Sequence, residues 1–241
     1  MFDGAGGDNV FCSLNSASPA LDAFRRRGPA RGMAALEHLA RLHGTTYWAV
    51  ARAAWRRARR RPVQWRRDTS FLAAGAAAEA MPDHPWLDHP ERFDRGTYEQ
   101  AQSIVGIRHF LPDATPGVAA TIHPLLAQPV VEACLRVPSW LWVEGGRDRA
   151  VARAAFAGLL PDAILARRAK GGLVSMYIKG YMQGRGRLES LLLDGRLAEA
   201  GLLNREAVCA YLRRDEPPRD AGYIRLLELA SAETWLRSFD E

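Results

Sequence analysis

The sequence predicts a mainly α-helical chain. Two observations carry that expectation. Between residues 33 and 60, Leu36, Leu39, Ala40, Leu42 and then Trp48, Val50, Ala51 and Trp55 recur at roughly the 3.6-residue period of a helix face. After residue 187 the chain falls into four more segments of helical character, separated by Asp194-Gly195 and by Asp215-Glu216-Pro217-Pro218. At 241 residues the chain is long enough for one large domain or two small ones, and no internal repeat or low-complexity linker interrupts it.

In chain order, Ser18-Pro19 reads as a helix start, with Ser18 as cap and proline in the first turn. That helix should end at Gly28-Pro29, and the long helical stretch that follows should break at Gly44. The three prolines of residues 81–90 demand a loop. A helix is expected from Arg95 to Phe110, with Ile104, Val105 and Ile107 inward. His123 to Pro129 should be a short loop leading into a buried helix that stops before Pro138. Gly145-Gly146 makes a turn, Arg149 to Leu159 an amphipathic helix, and Pro161-Asp162 opens a short helix ending at Ala166. The four tail helices are expected at Leu188–Leu193, Arg196–Leu203, Arg205–Leu212 and Tyr223–Phe239.

Composition excludes several classes. Apolar content of 48% and charged content of 25% are ordinary for a soluble globular chain. The net charge of +6 comes almost entirely from arginine, because Lys170 and Lys179 are the sole lysines. Cys12, Cys134 and Cys209 are odd in number, widely spaced and without metal-ligand spacing, which fits a reduced cytoplasmic setting. There is no membrane-spanning run and no signal-peptide core. Asp83, His84, Asp88 and His89 match no common zinc pattern, and turn formation explains them better.

Three stretches could carry chemistry. In Asp3-Gly4-Ala5-Gly6-Gly7-Asp8-Asn9-Val10-Phe11, the glycines free the backbone to approach another group. Gly4, Gly6 and Gly7 running into a helix start would offer backbone N–H groups to a phosphate, and Asp8 could hold the accompanying Mg²⁺. The alternative is a surface turn with Asp8 or Asn9 as helix cap. Arg52 to Arg67, interleaved with Trp55 and Trp65, could bind RNA or an acidic peptide, or be a solvated helix end. In Arg167-Arg168-Ala169-Lys170-Gly171-Gly172, Lys170 is a point charge suited to a phosphate or a developing anion, or else a surface lysine in a loop.

Taken together, these pieces follow a known order. A Gly-Gly-Asp loop before Phe11, Pro124-Leu125-Leu126 leading into Val131-Glu132-x-x-Leu135-x-x-Pro138, Leu159-Leu160-Pro161-x-x-Ile164 and Arg168-x-Lys170-Gly171 occur in sequence. The chain resembles the synthetase domain of asparagine synthetase. It resembles more closely the asparagine-synthetase-like cyclases that close the macrolactam of lasso peptides. The resemblance implies ATP and Mg²⁺ as cofactors, adenylation of a side-chain carboxylate, and attack by an amine to give an amide, AMP and pyrophosphate. It implies that Gly4, Gly6 and Gly7 lie against the nucleotide phosphates and that Asp8 holds Mg²⁺. Lys170 would neutralise phosphate and transition-state charge, with Arg168 beside it. The partners implied are ATP, a carboxylate and an amine substrate such as a precursor peptide.

The departures shape the expectation further. The family's ATP-grasping loop, Ser-Gly-Gly-x-Asp-Ser, does not occur here, and residue 2 is Phe where the family's glutaminase nucleophile would stand. The family often has acidic residues where this chain has Ala5 and Asn9, and an Asp where it has Ala127. The fold the resemblance implies is therefore a single domain over residues 1–241, with at most one or two short strands: the C-terminal helical part of an adenine-nucleotide α-hydrolase-like (PP-loop, HUP) α/β domain, inactive without an upstream half. The alternatives kept open are a degenerate non-catalytic binding module and an arginine-rich nucleic-acid binder; no membrane partner is expected.

Overall fold

The computed structural model describes residues 1–60, 68–78, 84–107, 120–167 and 174–239. Helices dominate these residues, and β structure among them is limited to isolated bridges such as Phe2–Ile122 and Leu72–Leu203. The mainly helical expectation is met. The chain divides into two compact units, Met1–Trp65 with Asp83–Arg168, and Arg66–Pro82 with Ala169–Glu241. Each is described by itself.

In the first unit, α1 (Gly7–Val10), α2 (Ser18–Arg27), α3 (Pro29–His43) and α4 (Tyr47–Ala58) come first. Gly28 ends α2 at φ 81° and Gly44 ends α3 at φ 59°, as their placement predicts. Thr46 caps α4 by accepting from the Ala49 N–H at 3.2 Å. Ser18 does not cap α2. It sits at the first helical position, fully buried, where its hydroxyl donates to Glu99 and accepts from Arg57. α2 and α3 approach closely because Gly32 faces the Phe24 ring, where a Cβ would lie 2.2 Å away.

Ala20, Ala23, Leu36, Leu39, Val50 and Ala54 close one core with Trp140 and Val143. Trp48 and Trp55, expected on that apolar face, are instead 75% and 54% exposed. Val50 and Ala54, four residues apart, occupy the inward stripe of α4, and the two tryptophans project from the other side. The guanidinium of Arg59 stacks on Trp55 at 3.8 Å.

The unit continues with α6 (Arg95–Ile107), α7 (Gln128–Leu135), a 3₁₀ stretch over Ser139–Gly146, α8 (Ala150–Ala155) and α9 (Asp162–Ala166). A second core joins Val10, Cys12, Ile104, Val131, Cys134 and Trp142. Here α8 is shorter than the helix expected to Leu159. Gly158 takes φ +80° and turns the chain, leaving Leu159 75% exposed.

The second unit holds α5 (Ala74–Ala78), α10 (Val174–Leu193), α11 (Arg196–Glu199), α12 (Arg205–Leu212) and α13 (Gly222–Arg237). The helix expected at Leu188–Leu193 is the last part of the twenty-residue α10. Its glycines at 180, 184 and 186 hide it from a propensity reading. Burial of Tyr181, Leu188 and Leu192 on one face holds it. Conversely α11 is shorter than expected, because Gly201 leaves the helix at φ +68°. Asn204 caps α12, and Tyr223, Leu226 and Ala230 bury the inward face of α13 as their spacing predicts.

Candidate functional site

The glycine loop is pinned from its first residue. The amino group of Met1 donates to the Ala120 carbonyl at 2.8 Å, the Ile122 N–H to the Met1 carbonyl at 2.7 Å, and the Asp3 N–H to the Ile122 carbonyl at 3.2 Å. Asp3 then folds its carboxylate back, accepting from the Ala5 N–H at 3.0 Å and pairing with His123 Nδ1 at 2.7 Å. The His123 bond holds the Asp3 carboxyl below its ordinary pKa.

The three glycines have different reasons to be glycine. Gly6 caps α1 at φ 82°, and a Cβ there would meet Leu126 Cδ2 at 2.4 Å. A Cβ on Gly7 would come within 3.1 Å of Leu125. Gly4 faces open space. Two of the three thus serve the packing of the loop on Pro124–Leu126, so two stretches of the sequence motif touch. The expectation of unpaired backbone N–H groups is corrected at three positions. Ala5 donates to Asp3, Gly7 to the Gly4 carbonyl at 3.3 Å, and Asn9 to the Gly6 carbonyl at 3.0 Å.

Neither Asp8 nor Asn9 caps α1, whose cap is Gly6 with no side-chain bond. Asn9 Nδ2 instead donates to the Ser103 carbonyl at 2.9 Å and to its hydroxyl at 2.7 Å, and Gln100 donates to the Val10 carbonyl at 2.7 Å. These bonds fix α1 on α6. Asp8 accepts from Arg149 at 2.6 Å, with the Asp8 side chain 37% exposed. Together with Gly4, Ile107 and Leu125 they face an open cavity of about 450 Å³.

Arg149 is a residue that the sequence reading missed. It sits at φ 54°, in the left-handed region where a non-glycine residue costs roughly 1–2 kcal/mol. Its guanidinium bonds Asp8 and also Asp148, the latter at 2.7 Å. Asp148 pairs in turn with Arg153 at 2.7 Å. Burial pushes the Asp148 carboxyl upward, but Arg153 and Arg149 outweigh it and hold it below its usual range. Arg153 and Arg147 both donate to the Leu165 carbonyl, at 2.7 and 2.8 Å. One chain of ion pairs and hydrogen bonds therefore runs from Asp8 to the end of α9. The available signal was the alternation Arg147-Asp148-Arg149 directly after Gly145-Gly146, with Arg153 one helical turn on.

Lys170 and Arg168 lie outside the described residues, as do Asp83, Trp65 and the arginines from Arg61 to Arg67. Of the described part of the arginine block, Arg57 is tied to Glu99 and Ser18, and Arg59 to Trp55. His89 pairs with Glu91, and the His84 ring contacts Trp86 edge-on. Among the described residues no group of three His, Cys, Asp or Glu side chains converges as a metal cage, and no helix is long and apolar enough to cross a membrane.

A family model described as asparagine synthase matches residues 1–237. The chain belongs to the asparagine synthase family. No curated protein and no solved structure matches significantly. Asparagine synthase domains form amide bonds at the expense of ATP, generally with Mg²⁺. The residues present fit that pair. Mg²⁺ takes one or two carboxylates and fills its shell from phosphate oxygens and water. A single half-exposed Asp8 beside an open cavity meets that need without a protein cage. Arg149 in the same wall brings a charge that suits phosphate oxygens.

Proposed function

We propose that this chain is the C-terminal part of an ATP-dependent, AMP-forming amide synthetase of the peptide macrolactam cyclase kind. Both units together would form one portion of a single asparagine synthase domain. A substrate carboxylate attacks the α-phosphorus of ATP, the bond to pyrophosphate breaks, and an acyl-adenylate forms. An amine then attacks the acyl carbon, the C–N bond forms, AMP departs and the amine gives up a proton.

In this reading Asp8 holds Mg²⁺, which would screen the phosphate charge. Gly4, Gly6 and Gly7 shape the floor of the nucleotide cavity, and Lys170 with Arg168 neutralises charge on the phosphates and in the amide-forming step. Arg149 orients Asp8. The observation that carries the reading is the chain of bonds from Asp8 through Arg149, Asp148 and Arg153 to the Leu165 carbonyl. Ala5, where the family often has an acidic residue, argues against authentic asparagine synthesis.

The test is ATP–pyrophosphate exchange with an upstream half supplied as a separate chain. Exchange is expected, with Asp8→Asn and Lys170→Ala each lowering it at least tenfold. Exchange unchanged by both substitutions would remove the site assignment. A stable assembly without exchange would favour the second reading, a non-catalytic binding module, which Ala5 and Ala127 also suit.

A further inference from the structure

Two more cavities follow one another along α6 and α7 in the first unit. The one of about 410 Å³ has an apolar side made by Ile104, Val105, Val131, Trp86 and Leu126, and a polar side made by His84, Gln128 and Glu132. The next, about 510 Å³, lies past Thr97 on α6 and beyond Leu135 on α7. Thr97 and Ile104 stand seven residues apart on one face of α6, and Glu132 on α7 and Arg136 just past its end mark the change from one cavity to the next. Leu126 lines the first, and its chain neighbour Leu125 lines the nucleotide cavity.

The second cavity is strongly basic. Arg26, Arg27, Arg92 and Arg136 line it, against Asp94 as the one carboxylate among its described lining residues. Asp94 is already bonded to Arg26 at 2.8 Å. Arg136 reaches Glu132 only at 3.4 Å and is 79% exposed. Phe93 and Trp140 give the same cavity an aromatic wall. Convergent guanidinium groups beside aromatic rings select carboxylates over neutral or cationic side chains.

From this arrangement we infer that the α6–α7 face binds an extended acidic peptide. One apolar side chain enters the Trp86 cavity and a carboxylate enters the arginine cavity. Ile107, at the nucleotide end, and Thr97, at the arginine end, are ten residues apart on α6, or about 15 Å along the axis. An extended chain covers that in about five residues at ~3.3 Å each. The acidic side chain therefore sits about five residues from the reacting group. The inference rests on the amide-synthetase reading for the identity of the peptide as substrate, and names the class of peptide that would be taken.

The experiment uses the full chain and a fluorescein-labelled synthetic dodecapeptide. It carries paired Asp and Glu residues at one end and a single Leu three positions away, matching the roughly 10 Å between Thr97 and Ile104 along α6. Anisotropy should show saturable binding, at least tenfold weaker for the same peptide with Lys in place of the acidic residues. Arg92→Glu and Arg136→Glu should each weaken binding at least tenfold with an unchanged melting profile, and Arg92→Lys should restore most of it. Equal binding of the acidic and lysine peptides would overturn the inference. So would a twelve-nucleotide oligouridylate that binds at least tenfold more tightly than the peptide and displaces it. Peptide selectivity without ATP–pyrophosphate exchange would leave this surface standing and remove the synthetase reading. Exchange without peptide selectivity would do the reverse.

Discussion

In the first unit Asp22 reaches from α2 to the start of α6, and in the second Glu233 reaches from α13 to the start of α11. Asp22 accepts from the Arg95 and Gly96 N–H groups at 2.9 and 2.8 Å, and Glu233 from the Arg196 and Leu197 N–H groups at 2.9 Å each. Both carboxylates are buried. Both sit against a glycine that makes room for them. A Cβ on Gly96 would lie 2.7 Å from Asp22 Oδ2, and one on Gly195 2.4 Å from Glu233 Cδ. The partner of the remaining lone pairs differs. Asp22 takes the Ser139 hydroxyl at 2.5 Å, and Glu233 takes the Arg237 guanidinium at 2.8 Å. Burial pushes the Asp22 carboxyl up to about 6. At Glu233 burial pushes the same way, but Arg237 and the two N–H groups outweigh it and hold the group below its ordinary value. The same anchoring device thus takes opposite electrostatic signs, and a neighbouring cation decides which.

The largest effects should come from filling the two glycine niches. Gly195→Ala has no room to relax, because its Cβ would also lie 2.4 Å from the Leu191 carbonyl oxygen. It should cost about 3–5 kcal/mol by urea unfolding, from overpacking plus the N–H groups left unpaired. At Gly96 the nearest atoms to a Cβ are side-chain atoms of Asp22 and Ser139, and Gly96→Ala should cost about 2–4 kcal/mol. Equal and negligible losses would break the comparison.

Next come the carboxylates. Glu233→Gln at pH 7 should cost about 2–3 kcal/mol, since an amide cannot accept at both positions and Arg237 loses its charge partner. Asp22→Asn should cost about 1–2 kcal/mol at pH 7, with no cation left behind. The reverse ranking would contradict the role given to Arg237.

Acid should separate the two units. Asp22 binds its proton more tightly folded than unfolded, where its pKa is 3.8, so its contribution falls as pH rises from about 4 to about 6. The fall should be on the order of 1–3 kcal/mol. Glu233 binds its proton less tightly folded than unfolded, where its pKa is 4.5. Its contribution is present above that value and is lost as pH falls below it. Amide exchange at Gly96 and at Leu197, corrected for intrinsic rates, should show slopes of opposite sign. Parallel slopes would refute the comparison. The smallest effect on stability is expected from Arg149→Gly. Release of the left-handed backbone offsets a partly exposed ion pair, so the change should stay within about 1 kcal/mol.

Local rules made part of this structure readable. Gly28, Gly44 and Asp194-Gly195 end helices where their chemistry says they must, and the α13 stripe follows its periodicity. The mainly helical class and the asparagine synthase family were both legible. Readings failed where tertiary contacts outvoted local pattern. Trp48 and Trp55 look like core and stand in solvent, while the sequence predicts only Leu188–Leu193 of α10, whose earlier turns carry Gly180, Gly184 and Gly186. At the candidate site the glycine loop and Asp8 were legible from spacing. Arg149 was not, because its role comes from a backbone conformation and a contact 141 residues away. Asp22 and Glu233 were invisible for the same reason.

We propose that Asp8 holds the metal of an ATP complex and that Lys170 neutralises its phosphate charge. Mn²⁺–ATP added to the isotopically labelled chain, with an upstream half supplied, tests it by paramagnetic broadening of amide resonances. The account predicts broadening at Gly4 to Asn9, at Arg149 and through residues 168–172, abolished by Asp8→Asn. Broadening that spares the glycine loop, or that leaves Lys170 untouched while Asp8 responds, would contradict it.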